Sequence, residues 1–190
     1  MIKSMGESSQ PTPVLLIVAA FSRYDDAFVW GKQQCAEQWG TIGLTSDTFA
    51  FEWTSYYTDS MGEQLKKLFW AFEVLIDPET LPHIKHQANA LEMEYARESN
   101  HEVERPLNLD PGYITQSKLI LASTKDHAHR IYLSNEIYAE MTLQYRSKQW
   151  QKLPWTYPDY QQPEYHEFFS RCRIYLRERM QDTGIRPVGN

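Results

Sequence analysis

The sequence predicts an α+β fold, on three observations: one uninterrupted apolar run, several runs in which apolar and polar residues alternate, and segments between them with apolar spacing of three and four. The order in which these fall is strand, helix, strand, strand, helix, strand. That is a ferredoxin-like split βαβ core (βαββαβ), extended here by about three antiparallel strands and a C-terminal helix.

Val14 to Ala20 reads as the first strand, apolar at every position and so covered on both faces. Ser22 with Asp25 three residues on has the form of a capping box, and Tyr24, Phe28, Cys35 and Trp39 share a face of the helix that runs to Gly40. Thr48 to Trp53 alternates, with Phe49, Phe51 and Trp53 on one side and Glu52 on the other. After Tyr56 to Gly62, a second alternating run sets Leu68, Trp70, Phe72, Val74 and Ile76 on one face. Asp77-Pro78 opens a helix carrying Leu81, Ile84, Ala88, Leu91 and Tyr95, and a polar linker, Glu98 to Glu104, ends it. A strand near Arg105 to Leu109 closes the core. Lys118 to Ser123, His127 to Leu133 and Ile137 to Tyr145 extend the sheet. The last helix sets Tyr165, Phe168, Phe169, Cys172, Tyr175 and Leu176 on one face. One domain spans 13–183, with tails at 1–12 and 184–190.

Composition excludes several classes. With 190 residues, 42% hydrophobic and 23% charged, the chain is of the folded type. A formal charge of −6 argues against a nucleic-acid partner. The longest apolar run, Val14 to Phe21, is far short of the roughly 20 residues that cross a bilayer, and Met1 to Pro13 lacks the apolar segment of a signal peptide. A cytoplasmic location without membrane partners is therefore expected. Cys35 and Cys172 lie in helical spacing and read as buried free thiols rather than a disulfide pair.

The eight glycines spell neither a P-loop nor a dinucleotide fingerprint, and no G-x-S-x-G, C-x-x-C or H-E-x-x-H occurs. His127 and His129 form an H-x-H that on a strand puts both rings on one face, where Asp126 or a distant carboxylate would be a third metal ligand. A solvated strand edge is the plainer reading, and no metal site is assigned.

Polar residues gather elsewhere. Arg105 to Tyr113 reads R-P-L-N-L-D-P-G-Y, a strand broken by a Pro111-Gly112 turn, bringing the amide of Asn108, the carboxylate of Asp110 and the phenol of Tyr113 to one strand end. Lys118, Lys125, His129 and Arg130 follow around an apolar strand, a composition that suits an anion. A hairpin centred on Asn135 would set Leu133 against Ile137, Tyr132 against Tyr138 and Arg130 against Glu140, making Arg130 a cross-strand ion pair instead. Lys85, Asn89 and Glu92 form a polar helical stripe that reads as a solvated face. Glu52 reads as a surface carboxylate, with a general base as the alternative. The six Trp and twelve Tyr sit at core spacing.

The run N-L-D-P-G-Y-I followed by K-L-I-L-A-S-T-K-D-H-A-H-R-I-Y-L resembles the bacterial domain-of-unknown-function 4416 family. The likeness extends from about Pro13 to Leu176 and takes in Tyr56-Tyr57 with Met61-Gly62, the Lys85, Asn89 and Glu92 stripe, and Thr156 to Tyr160. Leu107 departs from it, standing where the family pattern has a small β-branched residue. The resemblance implies no activity, cofactor or catalytic residue.

Three functional expectations follow. The first is a binding domain for a small anionic ligand, a nucleotide or other phosphate compound, held by Asn108, Asp110, Tyr113, Lys118, Lys125, His129 and Arg130. The second is phosphoryl or nucleotidyl transfer at the same cluster, with Asp110 as base and His129 as acid. The third is an interaction module whose aromatic face, Trp150, Trp155, Tyr157 and Tyr160, meets a partner or a second copy in a homodimer.

Overall fold

A computed structural model describes residues 9–53 and 57–185; most of the expected N-terminal and C-terminal tails, and Tyr56, lie outside the described residues. The chain is α+β. Its elements are β1 (Val14–Ser22), α1 (Asp25–Trp39), β2 (Ile42–Thr45), β3 (Phe49–Phe51), α2 (Thr58–Met61), β4 (Leu65–Ile76), α3 (Leu81–Glu98), β5 (Asn108–Ile114), β6 (Lys118–Ser123), β7 (Ile131–Ser134), β8 (Ile137–Arg146), β9 (Gln149–Lys152) and α4 (Pro163–Asp182). Among the described residues the strands form one nine-stranded sheet in the order β2-β4-β1-β5-β6-β8-β7, with β3 also on β4 and β9 also on β8.

Both faces of β1 are buried, as its unbroken apolar run requires. Leu15, Ile17 and Ala19 pack with Phe69, Ile114 and Leu143 against Phe168, Phe169, Cys172 and Leu176 of α4. The alternate residues Leu16, Val18 and Ala20 pack with Trp70, Phe72 and Leu109 against Phe28 and Cys35 of α1 and Ile84, Ala88 and Leu91 of α3. One layer of sheet thus lies between two helices on one face and one on the other. No described helix is long and apolar enough to cross a membrane. Both cysteines are free and buried, and burial pushes both thiol pKa values far up.

The structure corrects several local expectations. Pro111-Gly112 is no turn: both residues lie inside β5, paired with Val18 and Ile17. Gly112 is there because a Cβ would fall 2.3 Å from the carbonyl oxygen of Ile120 on β6, a closeness that no side chain tolerates. The strand accordingly runs over 108–114 instead of 105–109. Two strands carry no clear signal in the sequence, β2 with Gly43 at its centre and the four-residue β9; each is held by a longer neighbour, β4 and β8.

Ser22 does not cap α1. Its hydroxyl accepts the Tyr24 N–H at 2.9 Å, one turn before the helix, whose N-cap position is Tyr24. Asp77 caps a short 3-10 turn, Pro78–Thr80, and α3 begins after it. His127 to Arg130 forms a turn closed by a bond from the Arg130 N–H to the His127 carbonyl, so strand alternation does not orient the two imidazoles. The hairpin beyond it follows expectation in pairing Tyr132 with Tyr138, but Ile137 pairs with Ser134 rather than Leu133, because the turn is the two residues Asn135 and Glu136, with φ of 48° and 63°, and the register shifts between Tyr132 and Ser134.

Candidate functional site

The ladder between β5 and β6 covers only Gly112–Ile114 against Leu119–Leu121. Upstream the two strands part, and the β5 edge at Leu109 needs other partners. Helix α3 supplies them. The Leu109 N–H donates to Glu92 Oε1 at 2.8 Å, and the Leu109 carbonyl accepts from Lys85 Nζ at 3.1 Å. Lys85 and Glu92 are two helical turns apart on one face of α3, so they bracket the N–H and the carbonyl of a single residue. The stripe that the sequence suggests is solvated therefore stands in for a missing strand. Pro111 lies two residues on, with its absent N–H toward the same open side, where no ladder bond is lost.

Around this edge the side chains interlock. Lys85 Nζ also donates to Asp110 Oδ1 at 3.0 Å. Arg105 donates to Glu92 Oε2 at 3.1 Å and to Asn108 Oδ1. Burial pushes the Asp110 carboxyl up, but the Lys85 and Lys67 charges outweigh it and hold it below its ordinary value. Burial pushes Glu92 up as well and there it wins, against the pull of Lys85 and of the Leu109 N–H. The Asp110 side chain is 31% exposed and that of Arg105 39%, while Lys85 and Glu92 are largely buried, so the carboxylate and the guanidinium are the parts of this network that meet solvent. The Asn108 side chain is buried beside Asp110 and also holds that carboxyl down.

Two further charged groups lie deep in the protein. Lys67 and Asp159 pair at 2.7 Å with side chains only 4% and 6% exposed. The ammonium sits among rings, 4.3 Å from the centroid of Tyr160 and 5.1, 5.5 and 5.6 Å from those of Phe51, Phe21 and Phe69. The Tyr160 hydroxyl is buried and unpartnered. Its pKa is raised, first by burial and then by the Asp159, Asp110 and Glu140 carboxylates, which brings the three acidic groups within electrostatic reach of one phenol.

Glu140, on β8, is the second centre. It receives Arg130 Nε at 2.8 Å, Thr142 Oγ1 at 3.3 Å, and lies 3.0 Å from His129 Nε2. Arg130 Nη1 also donates to Ser123 Oγ at 2.6 Å and to the Lys125 carbonyl at 3.0 Å. The His129 ring stacks on Trp155, 5.2 Å between centroids.

The seven residues expected to line one groove do not converge. Asn108 and Asp110 share the open edge of β5, and His129 and Arg130 share Glu140. Tyr113 is excluded by alternation: one residue past Gly112, it packs with Leu81, Ile120 and Ile137 on the α3 side of the sheet. Lys118 begins β6 at the end opposite Ser123, paired with Gln144. Lys125 is exposed in the turn that Arg130 closes. Arg130, a cation of the expected anion site, is consumed by Glu140, Ser123 and a carbonyl. Trp150 and Tyr160 of the expected aromatic face are buried in the core with α4, and Glu52 is exposed beyond β3.

Sequence reasoning overlooked Lys67 and Asp159. A lysine in the alternating row Lys67, Phe69, Ala71 was the available signal, as was a lone carboxylate in the aromatic stretch Thr156 to Tyr160. Among the described residues no group of three or more His, Cys, Asp or Glu is arranged to hold a metal ion.

A family model described as Domain of unknown function (DUF4416) matches residues 12–175. No curated protein and no solved structure matches the chain.

Proposed function

The chain belongs to the domain-of-unknown-function 4416 family, and we propose that it binds a small hydroxylated ligand, a sugar, a nucleoside or one of their phosphates, in the cleft where β5 and β6 part. The observation that carries this reading is Asp110, a partly open carboxylate held ionised by Lys85 and Lys67, beside the largely buried Lys85 and Glu92. Asp110 accepts a hydrogen bond from a ligand hydroxyl. A bare anion suits the cleft poorly, because Lys67, Lys85, Arg105 and Arg130 already face Asp159, Asp110, Glu92 and Glu140. Any phosphate on the ligand therefore points out toward solvent.

Thermal unfolding followed by Trp fluorescence tests this, with ribose, adenosine, ribose 5-phosphate and inorganic phosphate as probes. Hydroxylated probes are expected to stabilise the wild type, by about 2.7 kcal/mol at 100 times their Kd, and to leave Asp110→Asn unmoved. Stabilisation by inorganic phosphate alone, or by none of the probes, would refute the reading.

A second reading, proton transfer on the bound ligand, is favoured by one observation: neighbouring carboxylates with pKa values pushed apart, Glu92 up and Asp110 down. Turnover of a bound probe that Glu92→Gln abolishes without loss of binding would establish it.

The order β2-β4-β1-β5, with α1 and α3 on one face, supports reading this part of the sheet as the ferredoxin-like core that the sequence predicts. Buried free thiols support a cytoplasmic location.

A further inference from the structure

We propose that a second cavity, separate from the cleft at Asp110, holds a primary ammonium group on an apolar stem. The cavity measures about 400 Å³ and lies where the start of α1 meets the end of α3, with Asp26, Trp30, Tyr95, Glu98, Ser99 and His101 in its lining. Its charge selects a cation. Two carboxylates line it, and no lysine or arginine does. The 18-residue α3 also ends there: the Ser99 N–H closes on the Tyr95 carbonyl, and the carbonyls after Tyr95 have no helical partner, so the negative end of the helix lies at the cavity. The opposing positive end of α1 carries Asp25 and Asp26, of which Lys66 engages only Asp25.

Asp26 is held in position by its neighbours. The Tyr95 hydroxyl donates to its Oδ2 at 3.1 Å, and His101 Nε2 lies 3.1 Å from the same oxygen. The Tyr24 ring stacks on that of His101, 3.6 Å between centroids, and fixes the imidazole in turn. Tyr95 is 5% exposed and burial raises its pKa, so it remains a donor to Asp26. The Asp26 side chain is nonetheless 68% exposed, and its Oδ1 has no partner among the described residues. An ammonium brings three N–H donors and no acceptor. Asp26 Oδ1 and the end carbonyls of α3 accept two of them. Ser99 Oγ, buried and unpartnered, accepts the third after a turn about one side-chain bond. The Trp30 and Tyr95 rings, 4.9 Å apart between centroids, are the apolar wall for the stem. An anion would meet like charge here, and an alcohol would leave the carboxylates uncompensated.

The test is titration calorimetry of the full chain at neutral pH, with amide chemical-shift mapping of each complex. The probes are butylamine, which is protonated there as a lysine side chain is, 1-butanol of the same shape, and Nα-acetyllysine methylamide. Butylamine is expected to bind at least about tenfold more tightly than butanol, the worth of a charge-assisted hydrogen bond, and to shift the amides of 26–30 and 95–101. Asp26→Asn keeps an oxygen for Tyr95 and is expected to weaken butylamine by a similar factor. Glu98→Gln, at an exposed position, gives a second and smaller loss that does not touch the Tyr95 and His101 contacts. The lysine derivative separates the two sources of such a group: binding that matches butylamine assigns the cavity to lysine side chains, and weaker binding assigns it to free amines. Butanol that binds as well as butylamine overturns the proposal. So does butylamine binding that both substitutions leave unchanged, shifts that fall outside these two segments, or no binding at millimolar concentration. None of these readouts depends on the cleft at Asp110.

Discussion

Replacing Lys67 with Met gives the sharpest test of how the core tolerates charge. The pair with Asp159 is 2.7 Å long and its side chains are 4% and 6% exposed, so neither group can turn to water when the other is removed. Met keeps the length and apolar stem of Lys but strands the Asp159 carboxylate among Tyr160, Tyr165 and Phe69. Leaving one buried charge alone costs about 3–5 kcal/mol. For a chain of 190 residues, at roughly 2–4 °C per kcal/mol, that lowers the melting temperature by about 6–20 °C. Replacing both partners, Lys67→Met with Asp159→Leu, removes the stranded charge and is expected to recover most of the loss, since apolar pairs of similar volume equal or exceed buried ion pairs. Urea unfolding followed by Trp fluorescence measures all three variants against wild type. A single variant that loses less than about 1 kcal/mol, or a double variant that loses the sum of its singles, would refute the reasoning, because either result means water reaches the pair.

Two further outcomes follow from the edge of β5. Lys85→Met leaves the Leu109 carbonyl without its donor and is expected to cost roughly 1–3 kcal/mol in urea unfolding; Asp110, being partly in solvent, adds little, and a loss no greater than that of an exposed lysine on the same helix would mean water takes over the carbonyl. Glu92 predicts a pH dependence. Its folded pKa lies above its unfolded value of about 4.3, so its contribution to stability is fully present below that value and is lost as pH rises through the folded pKa. Glu92→Gln keeps an oxygen for the Leu109 N–H and escapes this loss. It is expected to be at least as stable as wild type at neutral pH, with the advantage shrinking on acidification, and urea midpoints taken across acid and neutral pH would show the reverse if Glu92 were stabilising as a carboxylate.

What the sequence alone determined is the set of elements that local periodicity can encode. The apolar run at β1, the helical spacing of α1, α3 and α4, and the turn at Asn135-Glu136 are all legible because each element buries a face that repeats every two or three to four residues. The ion pair of Arg130 with Glu140 was legible too, from the register that the turn imposes. Elements without a period of their own were not. The β2 and β9 strands exist because β4 and β8 offer edges to them, and Pro111-Gly112 lies in a strand because β1 pairs with it and β6 comes too close for a side chain.

The candidate site lies on the same divide. Its residues come from α3, β5 and the segment before β5, and what joins them is the stretch of β5 that β6 leaves unpaired, a fact of the sheet rather than of any segment. In the sequence Lys85 and Glu92 have the spacing of a solvated face. Only the tertiary structure lays that face along an unpaired strand edge, where the same two side chains become the partners of a backbone that has no other, and where burial drives the pKa values of Glu92 and Asp110 apart.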